Sequence, residues 1–95
     1  MILFEGDPEA ASKAVAAEAA RLRSQGRQAG IIDFKGDTEE AARFFFARLR
    51  ALDRQGTDVI LCAGVPEQGL GEAVMDRMRK AAAGHVVEIV PDGSC

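Results

Sequence analysis

Val59-Ile60-Leu61-Cys62-Ala63 is the most continuously apolar of four short apolar runs, entered from Asp58 and left through Gly64-Val65-Pro66-Glu67-Gln68. No polar residue alternates with the apolar ones, so neither face of this strand is written for water. Strands buried on both sides belong to the interior of a parallel sheet covered by helices. Moving outward, a helix is expected from Gly69 to Ala83 with Leu70, Val74, Met78 and Ala81 facing inward, until Gly84 stops it. A last strand runs from His85 to Val90, and Pro91-Asp92-Gly93 breaks the chain into a tail. On the other side, Asp37 with Glu40 forms a capping box that opens a helix reaching Gln55, before Gly56. Its stripe is Ala41, Phe45, Leu49 and Leu52, widened by Ala42 and Phe46, with Arg43, Arg50 and Arg54 opposite and Phe44 off the stripe.

The remaining elements repeat the pattern. Ala29 to Phe34 is a second run, and Met1-Ile2-Leu3-Phe4 the first. Asp7-Pro8 supplies an N-cap and a proline at the first helical position. The helix that follows carries Ala11, Val15, Ala19 and Leu22 on one face and ends near Gln25-Gly26. Strand and helix in strict alternation predict a three-layer α/β/α, Rossmann- or flavodoxin-like fold around a four-stranded parallel sheet. Asp33 closing the second run and Glu88 inside the fourth mark those strands as edges. The expected strand order is therefore 2-1-3-4, with 3-2-1-4 as the alternative. Right-handed crossovers put the first helix on one face and the other two on the opposite face.

With 95 residues, the chain is expected to form one domain over residues 1–95. No apolar run approaches the roughly 20 residues of a membrane span, and Met1 enters a strand rather than a signal peptide. A net charge of −3 and the absence of Trp and Tyr argue against direct nucleic-acid binding. Cys62 in an apolar run and Cys95 at the end give no disulfide framework, which suits a reducing cytoplasm. His85 stands alone, without ligand-spaced partners. Neither a nucleophile–base pair nor a metal set can be assembled, so no catalytic residue, metal or cofactor is expected.

Two places could engage a ligand or partner. The crevice at the C-terminal ends of strands one and three, lined by Glu5, Gly6, Asp7 and Gly64 to Gly71, is where such folds bind small molecules. Its rim of Glu5, Asp7, Asp33, Asp37, Glu67 and Asp92 against Lys35 is too acidic for free phosphate. The glycines complete no dinucleotide fingerprint, because Val74 stands at the third position, and there is no P-loop lysine. The acids invite comparison with receiver domains of two-component signalling, yet Cys62 and Ala63 stand where the phosphoacceptor aspartate would be. The second place is the third helix. It opens on Gly69-Leu70-Gly71, which offers no side-chain cap, and continues with Arg77, Arg79 and Lys80. Asp76 and Lys80 at i, i+4 also allow a plain solvated surface.

From Ala42 to Ala82 the chain resembles the C-terminal domain of the two-domain threonylcarbamoyl-AMP synthases, whose other domain is a YrdC-type catalytic unit. The matching residues are Phe46, Leu49, Arg50, Asp53, Gly56, Asp58 and Ile60, then Gly69, Leu70, Gly71 and Ala73, then Asp76, Arg77, Lys80, Ala81 and Ala82. The first 40 residues fit only loosely, through a Glu-Gly-Asp-Pro turn and an apolar strand. The resemblance implies a Rossmann-like accessory domain, not an enzyme by itself, that docks on a YrdC-type catalytic domain in cis or in trans. It would thereby support tRNA threonylcarbamoyladenosine modification. Gly69, Leu70, Gly71, Arg77, Lys80, Arg50, Asp53 and Phe44 are then the contact candidates. A stand-alone small-ligand or nucleotide-binding module using the crevice is the other reading. Edge strands two and four could also pair between copies into a homo-oligomer.

Overall fold

The alternating pattern becomes β1 (Ile2–Glu5), α1 (Pro8–Ser24), β2 (Ala29–Ile32), α2 (Thr38–Arg54), β3 (Val59–Ala63), α3 (Leu70–Ala82) and β4 (Val86–Glu88). The computed structural model describes residues 1–89. Val90, the Pro91-Asp92-Gly93 break, the rim residue Asp92 and Cys95 lie outside the described residues. Two of the three helices start where the caps said they would. The Asp7 carboxylate accepts from the Ala10 N–H at 3.0 Å, and that of Asp37 from the Glu40 N–H at 3.1 Å. The second half of the capping box does not form. Glu40 turns to Arg48 instead, at 3.3 Å.

All strand pairs are parallel, as expected, but the order is β2-β3-β1-β4 rather than 2-1-3-4. Strands β1 and β3 are the central pair and β2 and β4 the edges, so the apolarity reading holds. What differs is which edge lies beside which centre. Strand β2 is fastened to β3 by a cross-link at their starts: the Asp58 carboxylate accepts from the Gln28 N–H at 2.9 Å. The Asp58 and Val59 amides donate back to the Gln28 carbonyl at 2.9 and 3.1 Å. Those partners are thirty residues apart, and no local pattern announces them.

Alternation along the strands divides the core in two. Phe4, Leu61 and Ala63 meet Ala11, Val15, Ala19 and Leu22 of α1 on one face. Leu3, Ile32 and Cys62 meet Ala41, Phe45, Val74, Met75 and Met78 of α2 and α3 on the other. This is the expected division of helices between the faces. Gly30 in β2 allows α2 to lie close, since a Cβ there would come within 2.8 Å of Leu52 Cδ2. Helix α3 is rotated from its expected setting. Met75 is buried, whereas Leu70 is 50 % exposed and Ala81 only half-buried. Gly71 is buried on that side too, with the Pro66 backbone folded closely over it. Among the described residues, no helix is long and apolar enough to cross a membrane.

Candidate interaction site

The expected crevice lies between neighbouring β1 and β3, whose following helices leave to opposite faces. The Gly64 N–H donates to the Phe4 carbonyl at 2.9 Å, continuing the sheet past the strand ends. Arg79, reaching back along α3, ties two acids of the crevice rim together. Its guanidinium grips both carboxylate oxygens of Glu5 at 2.8 Å and also pairs with Glu67 in the β3–α3 loop. Three elements 74 residues apart at their extremes are thus joined by one side chain. Hydrogen bonding and the positive charge of Arg79 outweigh burial and hold the Glu5 carboxyl below its ordinary value of 4.5, while both acids raise Arg79. The sequence showed these three groups as an acidic rim and a basic face; their pairing was not legible.

This clamp has a pH signature. A carboxyl depressed on folding stabilises the fold above its unfolded value of 4.5 and loses that contribution as pH falls through its folded value. Arg79→Met should cost about 1 kcal/mol at neutral pH, a bidentate pair discounted because the guanidinium is 36 % exposed. The cost should vanish in acid, well below 4.5. Urea midpoints measured from pH 3 to 7 check this; parallel curves for wild type and variant across that range would remove the clamp from the account.

The start of α3 is only partly as expected. No side chain caps it, and Gly69 sits at φ 56°, ψ −122°, a backbone setting for glycine. The Gly71 and Glu72 amides, however, donate to the carbonyls of Gln68 and Gly69 at 2.9 and 3.1 Å. Two of the leading amides are therefore satisfied by their own loop. Gly71 is buried beneath the Pro66 carbonyl rather than presented to a partner. Lys80 is exposed and paired with Asp76 at 3.0 Å.

The remaining candidates divide between two sides of α2. Phe44, 45 % exposed, borders a shallow hollow with Asp37, Glu39, Glu40 and Arg43. Phe46 is equally exposed, though the stripe assigned it to the core margin. Two residues apart on a helix means about 200° of rotation, so the two rings serve different surfaces. Phe46 meets Arg77 across the narrow cleft between α2 and α3. Arg50, one turn after Phe46, shares that side, as does Asp53 seven residues on. Arg77 thus faces the Phe46 side of α2, on which helical spacing also puts Arg50 and Asp53, while Phe44, Lys80 and Gly71 lie elsewhere.

Elsewhere the chemistry is muted. A hollow of about 560 Å³ between α1 and the β2–α2 turn includes Asp7, Ser12 and Lys35. Its neighbour Asp33 is already engaged, accepting from the Lys35 N–H at 2.9 Å and pairing with the Lys35 ammonium at 3.4 Å. Burial raises the Asp33 carboxyl, but these contacts and the Ser12 hydroxyl outweigh it and leave it lowered. Burial, helped by the Asp33 charge, pushes the Cys62 thiol up to about 12, leaving a protonated packing residue. Among the described residues, no three His, Cys, Asp or Glu side chains are grouped to hold a metal ion.

Comparison with known proteins places this geometry. The family described as "Threonylcarbamoyl-AMP synthase, C-terminal domain" matches residues 1–83. The chain belongs to this family. The threonylcarbamoyl-AMP synthase of Pyrococcus abyssi is 37 % identical over 100 residues, which cover 94 % of this chain and 29 % of that protein. The crystal structure of Pyrococcus abyssi Sua5 complexed with L-threonine superposes with a TM-score of 0.82 at 38 % identity, again over 94 % of this chain and 29 % of the other. The C-terminal Sua5 domain of Pyrococcus horikoshii gives a TM-score of 0.70 at 32 % identity, covering 92 % of this chain and 93 % of that one. The chain therefore spans less than a third of the synthase it matches and nearly all of a C-terminal domain solved by itself.

Proposed function

We propose that this chain is a non-catalytic accessory domain, one domain over residues 1–95, that docks on a YrdC-type catalytic domain of a threonylcarbamoyl-AMP synthase. Through it the domain supports tRNA threonylcarbamoyladenosine modification in the cytoplasm. The observation that carries this reading is coverage: 94 % of the chain aligns, yet it accounts for only 29 % of the Pyrococcus abyssi synthase. The geometry agrees with it. Glu5, Glu67 and Arg79 at the crevice are already engaged with one another, and the exposed apolar and basic groups lie on the helices instead.

The test mixes this chain with the Pyrococcus abyssi synthase trimmed of its matching segment, its fold first checked by circular dichroism. A complex with a Kd of about 1–50 μM is expected by calorimetry, weakened by Arg77→Glu. Addition of the chain should raise threonylcarbamoyl-AMP formation by the trimmed enzyme, and the chain alone should form none. Absence of binding at roughly 100 μM would remove the docking role.

A further inference from the structure

Phe46 is ringed by arginines. Arg50 follows it by four residues and Arg43 precedes it by three, which makes both its neighbours on the surface of α2, Arg43 at the border with the hollow beside Phe44. Arg77 meets it from α3, across a cleft whose floor is Ala42 and Val74. The void in that cleft is only about 10 Å³, so the surface is a face to lie across, not a pocket to enter. Leu70, 50 % exposed, stands seven residues before Arg77 and so extends the same flank of α3.

The charges on this face are unspent. Among the described residues, ion pairs engage Lys13, Arg21, Lys35, Arg48, Arg79 and Lys80. Arg43, Arg50 and Arg77 appear in none of them. Glu39 and Asp53 lie seven residues before and after Phe46, at the two ends of the face. The layout is a cationic centre around an apolar ring, with anionic ends.

We propose that this α2–α3 face is a docking surface for an acidic protein segment that presents an apolar side chain to Phe46 and Leu70. The proposal deepens the accessory role and rests on it, adding where contact is made and with what chemistry. Guanidinium forks pair bidentately with carboxylates, and three of them around one ring fix both the position and the direction of an acidic strand or helix. Exposed aromatic and Arg residues are also the types that carry binding energy at interfaces. A phosphate backbone fits less well. It presents no apolar side chain to Phe46 and Leu70, and its evenly spaced charge would run on past the arginines to Glu39 and Asp53, where a short acidic segment can end.

The test uses the intact chain and a fluorescein-labelled peptide, Asp-Glu-Leu-Phe-Asp-Glu, followed by polarisation. A counterpart with lysine for each acid and a single-stranded uridine RNA serve as competing probes. The acidic peptide should bind, lose affinity as salt rises, and be weakened at least tenfold by combined Arg50→Glu and Arg77→Glu, or by Phe46→Ala (about 1.4 kcal/mol). Lys13→Glu, on α1, should change nothing. Thermal melts should be unaltered for the double arginine reversal, whose side chains are exposed, and lowered only slightly for Phe46→Ala, whose ring is 45 % exposed. Equal binding by wild type and the double reversal, preference for the RNA or the basic peptide, or sedimentation showing copies joined through this face would each overturn the proposal. Failures remain separable: a trimmed synthase that binds wild type and double reversal alike leaves the accessory role standing and removes this surface. Reversal-sensitive peptide binding without synthase binding supports the surface and removes the synthase as partner.

Discussion

Gly71→Ala is expected to remove about a fifth or more of the stability of this domain. An alanine Cβ built at this position would lie 1.8 Å from the Pro66 carbonyl oxygen and 3.0 Å from its carbon. Both are backbone atoms, so neither can swing aside as the end of a side chain could. Relief requires the Val65–Gln68 loop to lift or α3 to back away from the sheet. Lifting the loop disturbs the buried Val65, whose N–H lies 3.3 Å from the Met75 sulfur. Backing away opens space over Met75 and Val74, which are 2 % exposed. Overpacking of this kind costs about 3 kcal/mol, against the roughly 5–14 kcal/mol that holds a chain of this size together. Gly69→Ala provides the contrast. Nothing lies within 4 Å of its missing Cβ, so only its backbone setting of φ 56°, ψ −122° resists substitution, at about 2 kcal/mol. Urea unfolding midpoints should rank wild type, Gly69→Ala and Gly71→Ala in that order. An unshifted midpoint for Gly71→Ala would refute the close approach of Pro66.

The two glycines show what was legible in the sequence and what was not. That Gly69 opens the helix could be read, because a cap position without a capping side chain is a local fact. That Gly71 is there for contact with Pro66 could not, since the requirement comes from a loop folding back on the helix. The same division runs through the molecule. Asp7 and Asp37 were identifiable as caps from their neighbours alone, and β1 and β3 as central strands from their apolarity. The edge strands were placed wrongly because Asp58 and Gln28 act across thirty residues. Glu5, Glu67 and Arg79 were visible as charges, but their clamp joins residues 74 apart. On α2, helical periodicity distinguished an apolar from a basic side. It could not say how far α3 would extend over the apolar side, and Phe46 lies just beyond that limit.

Phe45 and Phe46 turn that limit into the second large expected effect. Their rings are 5.1 Å apart and inclined at 57°, yet Phe45 is 3 % exposed and Phe46 45 %. Phe45→Ala empties a site enclosed among Ile32, Ala41 and Val74 and should cost about 3–4 kcal/mol, lowering the melting temperature by well over ten degrees. Phe46→Ala removes a half-solvated ring and its edge contact with Phe45, about 1 kcal/mol or less. For binding the ranking should invert once the loss of folded protein is corrected for. Phe45→Ala retains whatever affinity its folded fraction possesses, whereas Phe46→Ala loses the apolar anchor between Arg43, Arg50 and Arg77. Melting curves and peptide titrations on the same two variants therefore separate a residue that holds α2 to the sheet from one that holds a partner to α2. A Phe46→Ala variant that melts as low as Phe45→Ala would mean the ring belongs to the core after all, and the α2–α3 face would lose its centre.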